Sequence, residues 1–174
     1  MSIIDEIDQD CRAGSLIRFE PTGDPREHQV AESGRRRLFI SRGIQSFVES
    51  DKYLVQETRA DFSDFVMGEL IQVALHTDHK DCWLARLERA EEEVWEIRIY
   101  DTTPQLRFYG RFAQQDVFVA LMGPQEKSRF WHRKLNYENI KKACTAEWNR
   151  LFKHQPLSKG DDIDAYLSSN VDPA

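Results

Sequence analysis

Apolar and polar residues alternate along two short segments near the middle of the chain, and a turn separates them. The first segment covers residues 94–100, the second covers residues 106–112, and the sequence DTTPQ lies between them. An alternation with period 2 predicts β-strands, and a proline between them favours a turn over a continuing strand. One face of the predicted hairpin carries large apolar side chains, and we expect it to point into the core: Trp95, Ile97, Ile99, Leu106, Phe108 and Phe112.

A third strand is predicted directly after the hairpin. The sequence VFVALM at 117–122 is apolar at every position, which is typical of a strand covered on both faces. Gly123-Pro124 is expected to end it. These three strands predict an antiparallel meander, and a further strand is predicted through residues 38–40.

Apolar residues recur at three- and four-residue spacing in two longer segments. Residues 61–74 predict one helix, and residues 137–153, with Asn136 as the candidate N-cap, predict another. A short helix is expected at 44–51, and residues 82–93 are expected to form a second helix or a loose connection. This order of elements predicts an α+β fold in which helices cover one face of the sheet.

The two ends of the chain are polar and lack a clear period. Residues 1–35 are rich in turn-forming residues, with a short strand expected at 16–19, and we interpret them as an N-terminal arm or addition. Residues 155–174 are interpreted as an acidic C-terminal tail, with a short helix near 161–167 and a frayed end. Residues 36–154 form the predicted domain.

The net charge of −6 is unevenly distributed along the 174 residues. Residues 95–154 hold 11 Lys and Arg against 6 Asp and Glu, whereas both flanking segments are acidic. A basic block attracts phosphate groups, although a solvated face is the commoner explanation. No apolar run approaches the ~20 residues that span a bilayer, so no membrane association is expected. The N-terminus lacks the pattern of a secretory signal and the three cysteines are widely spaced, so a reduced, cytoplasmic location is expected.

The polar face of the predicted hairpin carries three arginines and a tyrosine: Arg98, Arg107, Tyr109 and Arg111. An arginine guanidinium can bind two phosphate oxygens at once, so this face is a candidate phosphate-binding surface. The alternative is an ordinary polar sheet face, on which arginines pair with acidic neighbours such as Glu96 or Asp101.

Two further segments carry candidate chemistry. Residues 129–134, RFWHRK, mix cations with aromatic side chains, as nucleic-acid-binding segments do, although the aromatics could equally pack on the sheet edge. Residues 76–82, HTDHKDC, contain metal-binding residue types but lack a second ligand pair. A solvated loop is therefore expected there, and no metal or cofactor is predicted.

Several segments follow one another in an order that resembles a known protein family. They are Leu84 and Leu87, VWEIRI at 94–99, LRFYGRF at 106–112, VFVALM at 117–122, Lys127, and NYENIKKACTAEW at 136–148. In this order they are similar to the RelE/ParE superfamily of bacterial toxins, and in particular to its phage-derived HigB-like branch. The resemblance covers residues 36–154 by element order and is most specific over residues 84–148.

The resemblance implies a RelE-like fold, which is a small antiparallel sheet of the meander plus an N-terminal strand, packed by two N-terminal helices and a C-terminal helix. It also implies a toxin–antitoxin protein that binds a cognate antitoxin and cleaves mRNA on the ribosome. Such cleavage is metal-independent: a 2′-hydroxyl attacks the neighbouring phosphate, cations stabilise the transition state, and an acid and a base move protons. The implied catalytic residues of this endoribonuclease are Arg98, Arg107, Tyr109, Arg111, Lys127 and His132.

Two departures from the family pattern leave other functions open. The family often has L-H-x-F-x-K-K after the central strand, whereas this chain has LMGPQEK, and RNA-cleaving members are usually basic, whereas this chain is acidic. The first alternative is a non-catalytic phage- or prophage-type member of the same fold that binds a protein partner. A second, weaker alternative is a general RNA-binding module.

Overall fold

Eight β-strands form one mixed sheet in the part of the chain that the structure, a computed structural model, describes. The described residues are 2–21, 35–50, 53–76, 81–126, 133–153 and 158–174, without the side chains of 133–136. The strands are β1 (Leu16–Arg18), β2 (Arg37–Ser41), β3 (Ile71–Ala74), β4 (Leu84–Arg86), β5 (Trp95–Ile99), β6 (Leu106–Gln114), β7 (Val117–Glu126) and β8 (Val171–Pro173). The α-helices are α1 (Ile3–Ala13), α2 (Arg42–Val48), α3 (Leu54–Met67) and α4 (Arg133–Leu151).

The sheet has the order β1-β2-β7-β6-β5-β4-β3-β8. Strands β5, β6 and β7 form the antiparallel meander that the alternating pattern predicts. However, β2 runs parallel to β7, and β3 runs parallel to both β4 and β8. The α+β class is therefore confirmed. The expectation of a small antiparallel sheet is wrong, because the sheet has eight strands and some of them pair in parallel.

Helices cover both faces of this sheet, and the expectation that they cover one face is wrong. On one face, Phe62 and Phe65 of α3 pack in a core with Phe108 and Phe118 of the sheet. On the other face, Ile7 of α1 lies in a second core with side chains of α4 and the sheet, among them Cys144, Trp148, Tyr109 and Val119. Because the central strands are buried on both sides, their polar residues are buried as well.

The helix predicted at 61–74 ends earlier than its apolar spacing indicates. Helix α3 stops at Met67, and Gly68 follows with φ of 79°, a left-handed conformation that glycine adopts without steric cost. The amide of Gly68 donates to the carbonyls of Asp64 and Phe65 and closes the helix. Residues Ile71–Ala74 then form β3, so the expectation of a continuous helix is wrong.

Three other boundaries differ from those expected. The segment 82–93 contains β4 and a short 3₁₀ turn at Ala90–Glu92 rather than a helix. Strand β7 continues past Gly123-Pro124 to Glu126, because residues 125 and 126 still pair with β6. Helix α4 begins at Arg133, so Asn136 lies inside it and is not its N-cap.

The N-terminal segment is more regular than its polar sequence indicates. Ser2 and Asp5 form a reciprocal capping box at the start of α1, which satisfies two backbone amides that the first helical turn leaves unpaired. Strand β1 then pairs with β2 in antiparallel register. Residues 2–18 therefore contribute a helix and an edge strand, although the division into arm, domain and tail stays a prediction.

The C-terminal segment is built into the fold. Tyr166 and Leu167 are fully buried, and β8 pairs with β3, so the expectation of a frayed end is wrong. The buried Arg36 donates to the carbonyls of Glu69, Ser169 and Asn170 at 3.0, 2.8 and 3.0 Å, which ties this segment to the end of α3. None of the described helices combines the length and the apolar character that a membrane span requires.

Candidate functional site

The polar face of the β5–β6 hairpin is a buried layer and not an exposed wall. Arg98, Arg107 and Arg111 are only 6%, 5% and 3% exposed, and Tyr109 is completely buried. Arg98 lies directly opposite Arg107 in the strand pairing, and Glu96 lies opposite Tyr109. The sequence therefore predicts the shared face of these residues, but it does not predict their burial.

Glu96 lies at the centre of a group of buried side chains that we call the Glu96 layer, which comprises Glu96, Arg98, Arg107, Tyr109, Tyr137, Cys82 and Tyr100. Its Oε1 atom accepts a hydrogen bond from Nε of Arg98 at 2.6 Å and lies 3.9 Å from Nε of Arg107. Its Oε2 atom accepts from the hydroxyl of Tyr137, which α4 contributes, at 3.1 Å. The pairing with Glu96 that the sequence leaves open as an alternative is thus present, and Tyr137 is a partner that strand alternation could not reveal.

Burial and the Glu96 charge together set the ionisation of this layer. Burial lowers the pKa of Arg98, but the charge and hydrogen bond of Glu96 outweigh it and the net change is upward. Burial, followed by the charge of Glu96, raises the pKa of both Tyr109 and Tyr137 well above the usual range. At neutral pH the arginine is therefore charged and both tyrosines are protonated.

The Tyr109 hydroxyl is unusual within this layer. Beyond the larger effect of burial, Glu96 raises its pKa through its charge and, more weakly, through a side-chain hydrogen bond, but no atom of the described residues meets this oxygen in good hydrogen-bond geometry. Its ring contacts the ring of Tyr137 edge to face, with centroids 6.5 Å apart. A buried hydroxyl without a partner costs about 1–3 kcal/mol of stability.

Cys82 and Tyr100 complete the layer on the side of β4. An Nη atom of Arg98 lies 3.1 Å from Sγ of Cys82, and the Tyr100 hydroxyl donates to the Cys82 carbonyl at 3.1 Å. The guanidinium of Arg107 stacks on the Tyr100 ring, 5.3 Å from its centroid. Burial raises the pKa of the Cys82 thiol, so it contacts Arg98 as a neutral group.

Arg111 makes a different set of contacts from the other two arginines. An Nη atom donates to the Glu92 carbonyl at 2.7 Å and to the Thr145 hydroxyl at 2.6 Å, and the guanidinium lies over the ring of Trp148. Lys141 adds ion pairs to Glu92 at 3.1 Å and to Glu138 at 2.8 Å. Arg111 therefore fastens α4 and the 3₁₀ turn to the sheet rather than joining the Glu96 layer.

The remaining candidates are Lys127, His132 and the HTDHKDC segment at 76–82. Lys127 and His132 lie outside the described residues, as do Asp78 and His79 of the HTDHKDC segment. His76, the first residue of that segment, is exposed, whereas Cys82 at its end is buried. Among the residues that the structure describes, no group of three or more His, Cys, Asp and Glu side chains could hold a metal ion.

A second buried charge network lies on the opposite face of the sheet, where the C-terminal segment packs. Arg86 donates to the Gly160 carbonyl at 2.9 Å and pairs with Glu93 at 3.5 Å. The hydroxyl of Tyr166 donates to Glu93 at 2.7 Å, and burial raises the pKa of that hydroxyl to about 12. Because Tyr166 also packs against Trp95, the described part of the tail does not cover the Glu96 layer.

The comparisons with known proteins return no matching family, curated protein or solved structure. The function is therefore inferred from the burial and the contacts of the Glu96 layer. Two arginines, one glutamate and three tyrosines form a network that joins strands to helix α4, and their guanidinium groups face protein atoms.

Proposed function

We propose that this chain acts by binding a protein partner, as a non-catalytic member of the RelE/HigB-like class that its sequence resembles. The observation that carries the proposal is the burial of the arginine layer around Glu96. Bidentate phosphate binding needs an accessible guanidinium, and the side chains of Arg98 and Arg107 are 7% and 6% exposed. Both arginines are directed towards the buried carboxylate of Glu96. Its negative charge neutralises part of the positive electrostatic field that would attract a phosphate.

The ionisation of the tyrosines supports the same proposal. Cleavage by 2′-hydroxyl attack requires a group that accepts a proton near neutral pH. The raised pKa values of Tyr109 and Tyr137 hold both hydroxyls protonated, and the raised pKa of Arg98 keeps its guanidinium charged. Tyr137 also belongs to α4, so its bond to Glu96 fixes the helix over the face that an RNA strand would have to enter.

Cleavage of mRNA as a RelE/HigB-like toxin is the second candidate, and one observation favours it. Among the described residues the Tyr109 hydroxyl has no partner in good hydrogen-bond geometry, and the Arg107 Nε lies 3.9 Å from Glu96, beyond hydrogen-bond distance. Arg107 and Tyr109 therefore keep donors that a phosphate oxygen could use if α4 moved. Lys127 follows the end of β7 and stays a candidate by the family pattern alone.

Expression in bacteria separates the two candidates. Expression of the chain is induced, and growth, protein synthesis and cleavage of ribosome-bound mRNA are measured. A non-catalytic protein produces no cleavage and no arrest of translation. Arrest that disappears in Tyr109→Phe, with an unchanged thermal unfolding midpoint, would establish the toxin instead.

A complementary experiment tests partner binding directly. The chain is co-expressed with the product of the neighbouring gene, and the mass of the complex is measured by size-exclusion chromatography with light scattering. The proposal predicts a complex of defined stoichiometry. Its absence, together with mRNA cleavage by the chain alone, would contradict the proposal.

A further inference from the structure

A cleft of about 900 Å³ lies on the α1 and α4 side of the molecule. The turn between α1 and β1, the start of α2, strand β7 and helix α4 form its walls and floor. Its volume falls within the range of sites for small organic molecules, ~300–1,000 Å³. None of its lining residues belongs to the Glu96 layer, so it is a separate feature of the fold.

The floor and the walls of this cleft differ in character. Leu121 and Met122 of β7 form an apolar floor, and Leu121 is only 4% exposed. The walls carry small residues, among them Gly43 and Ala146. A Cβ atom placed on Gly43 would meet no atom within 4 Å, so the cleft is open beside α2. An apolar group could therefore reach the floor.

Within the described part of the chain, one of the two rim arginines has no carboxylate partner. Of the two arginines that line the cleft, Arg150 is paired with Glu147 through hydrogen bonds of 2.9 and 2.7 Å. Arg42 is exposed, and its Nε donates to the Gly14 carbonyl, so with respect to the described residues its Nη atoms are left for a ligand. Gly14 makes this placement feasible, because a side chain there would collide with the Arg42 guanidinium.

Two serines also belong to the cleft lining. Ser15 and Ser41 both line the cleft, and Ser41 precedes α2 without donating or accepting a side-chain capping bond. A guanidinium and hydroxyls in one cleft can bind a carboxylate, because hydrogen bonds to a charged group are stronger than those between neutral groups. The apolar floor suits the body of the same molecule.

We propose that this cleft binds a small organic acid, with its carboxylate on Arg42 and its apolar body on Leu121 and Met122. The site is independent of the proposed partner binding. If the cleft binds no organic acid, the proposal of partner binding is unaffected. If no protein partner is found, the proposal for the cleft is likewise unaffected.

The test uses octanoate as the probe and octanamide as the matched neutral control. Amide chemical shifts of the ¹⁵N-labelled full chain are followed during titration with each probe. The proposal predicts saturable shifts with octanoate at Gly14, Ser15 and Gly43, and binding of octanamide that is weaker by about tenfold or more. Equal responses to both probes, or no saturable shift with octanoate, would overturn it.

Two variants and one control locate the contacts. Arg42→Gln should weaken octanoate binding by about tenfold or more and leave octanamide binding unchanged. Arg18→Gln, an exposed arginine of β1 that pairs with Glu20, should change neither. Ala146→Trp places a large side chain at an exposed position of the cleft wall and should abolish binding without loss of fold. Wild-type affinity in both cleft variants would refute the site.

Discussion

Nε of Arg98 lies 2.6 Å from Oε1 of Glu96, and the two residues are two positions apart on β5. Two positions along a strand return to the same face, so both charges point towards α4. Their side chains are 7% and 1% exposed. A pair buried to this degree stabilises the fold only while both members remain charged, because either one alone would be an uncompensated buried charge.

Glu96→Gln should therefore destabilise the protein strongly. The substitution preserves shape but removes the only carboxylate that is within 4 Å of both Arg98 and Arg107 in the described structure. We expect a loss of about 3–5 kcal/mol in the free energy of unfolding, measured by urea denaturation. Glu147→Gln is the control, since it breaks the more exposed pair with Arg150 and should cost less than about 1 kcal/mol. Equal losses would mean that the buried contacts of Glu96 stabilise the protein no more than the Glu147–Arg150 pair does.

Tyr109 and Tyr137 should respond oppositely to removal of the hydroxyl. Tyr109→Phe deletes a buried oxygen that has no well-aligned partner among the described residues, so stability should stay the same or rise by about 1 kcal/mol. Tyr137→Phe deletes the bond to Glu96 and should lower stability by about 1–3 kcal/mol. Thermal and urea unfolding of the two variants provide the comparison. A larger loss for Tyr109→Phe would show that its hydroxyl is satisfied in solution.

The hairpin could be predicted from sequence because its face alternation has a single physical cause. Trp95, Ile97 and Phe108 are buried in one core, as the period of 2 requires. The same period places Arg98 and Arg107 on the other face, but it cannot say whether a helix covers that face. The sequence therefore predicts which strand residues share the Glu96 layer, but it predicts neither their burial nor the contribution of Tyr137 from α4.

Other features were missed because competing signals overlap in the sequence. The apolar spacing of α3 runs on into β3, and only the left-handed conformation of Gly68 separates them. At the N-terminus, Ser2 and Asp5 carry the spacing of a capping box, and Ile3, Ile4 and Ile7 follow at helical spacing. This spacing indicates a helix, whereas the polar composition of the surrounding residues favours an irregular arm. Strand β8 is only three residues long, too short for any period to show.

Gly110 should tolerate no side chain. A Cβ atom there would fall on the backbone carbonyl of Val119 in the neighbouring strand β7, and backbone cannot move aside as a flexible side chain can. Gly110→Ala should therefore destabilise the protein by about 1–3 kcal/mol or more. Gly43→Ala is the matched control, because open space surrounds that position and alanine favours the helix, and it should be neutral or stabilising by up to about 1 kcal/mol. Urea unfolding measures both, and equal stabilities would contradict the close approach of β6 and β7.

The carboxyl of Asp61 should make stability depend on pH in the mildly acidic range. Burial raises its pKa from 3.8 to about 6, with smaller contributions from Asp64, Asp101 and Glu57, while a hydrogen bond from Trp83 opposes the rise. The folded state therefore holds this proton more tightly than the unfolded state does. The contribution of Asp61 is most favourable below pH 3.8, decreases as the pH rises from about 4 to 6, and stays constant above that.

Asp61→Asn isolates this effect, because asparagine can still accept the bond from the Trp83 indole but carries no charge. Relative to the wild type, the variant should gain stability as the pH rises from 4 to 7, by at most about 3 kcal/mol. The free energy of unfolding, measured in urea at intervals across this range, gives the difference. A constant difference between Asp61→Asn and the wild type from pH 4 to 7 would show that the pKa of Asp61 is the same in the folded and unfolded states.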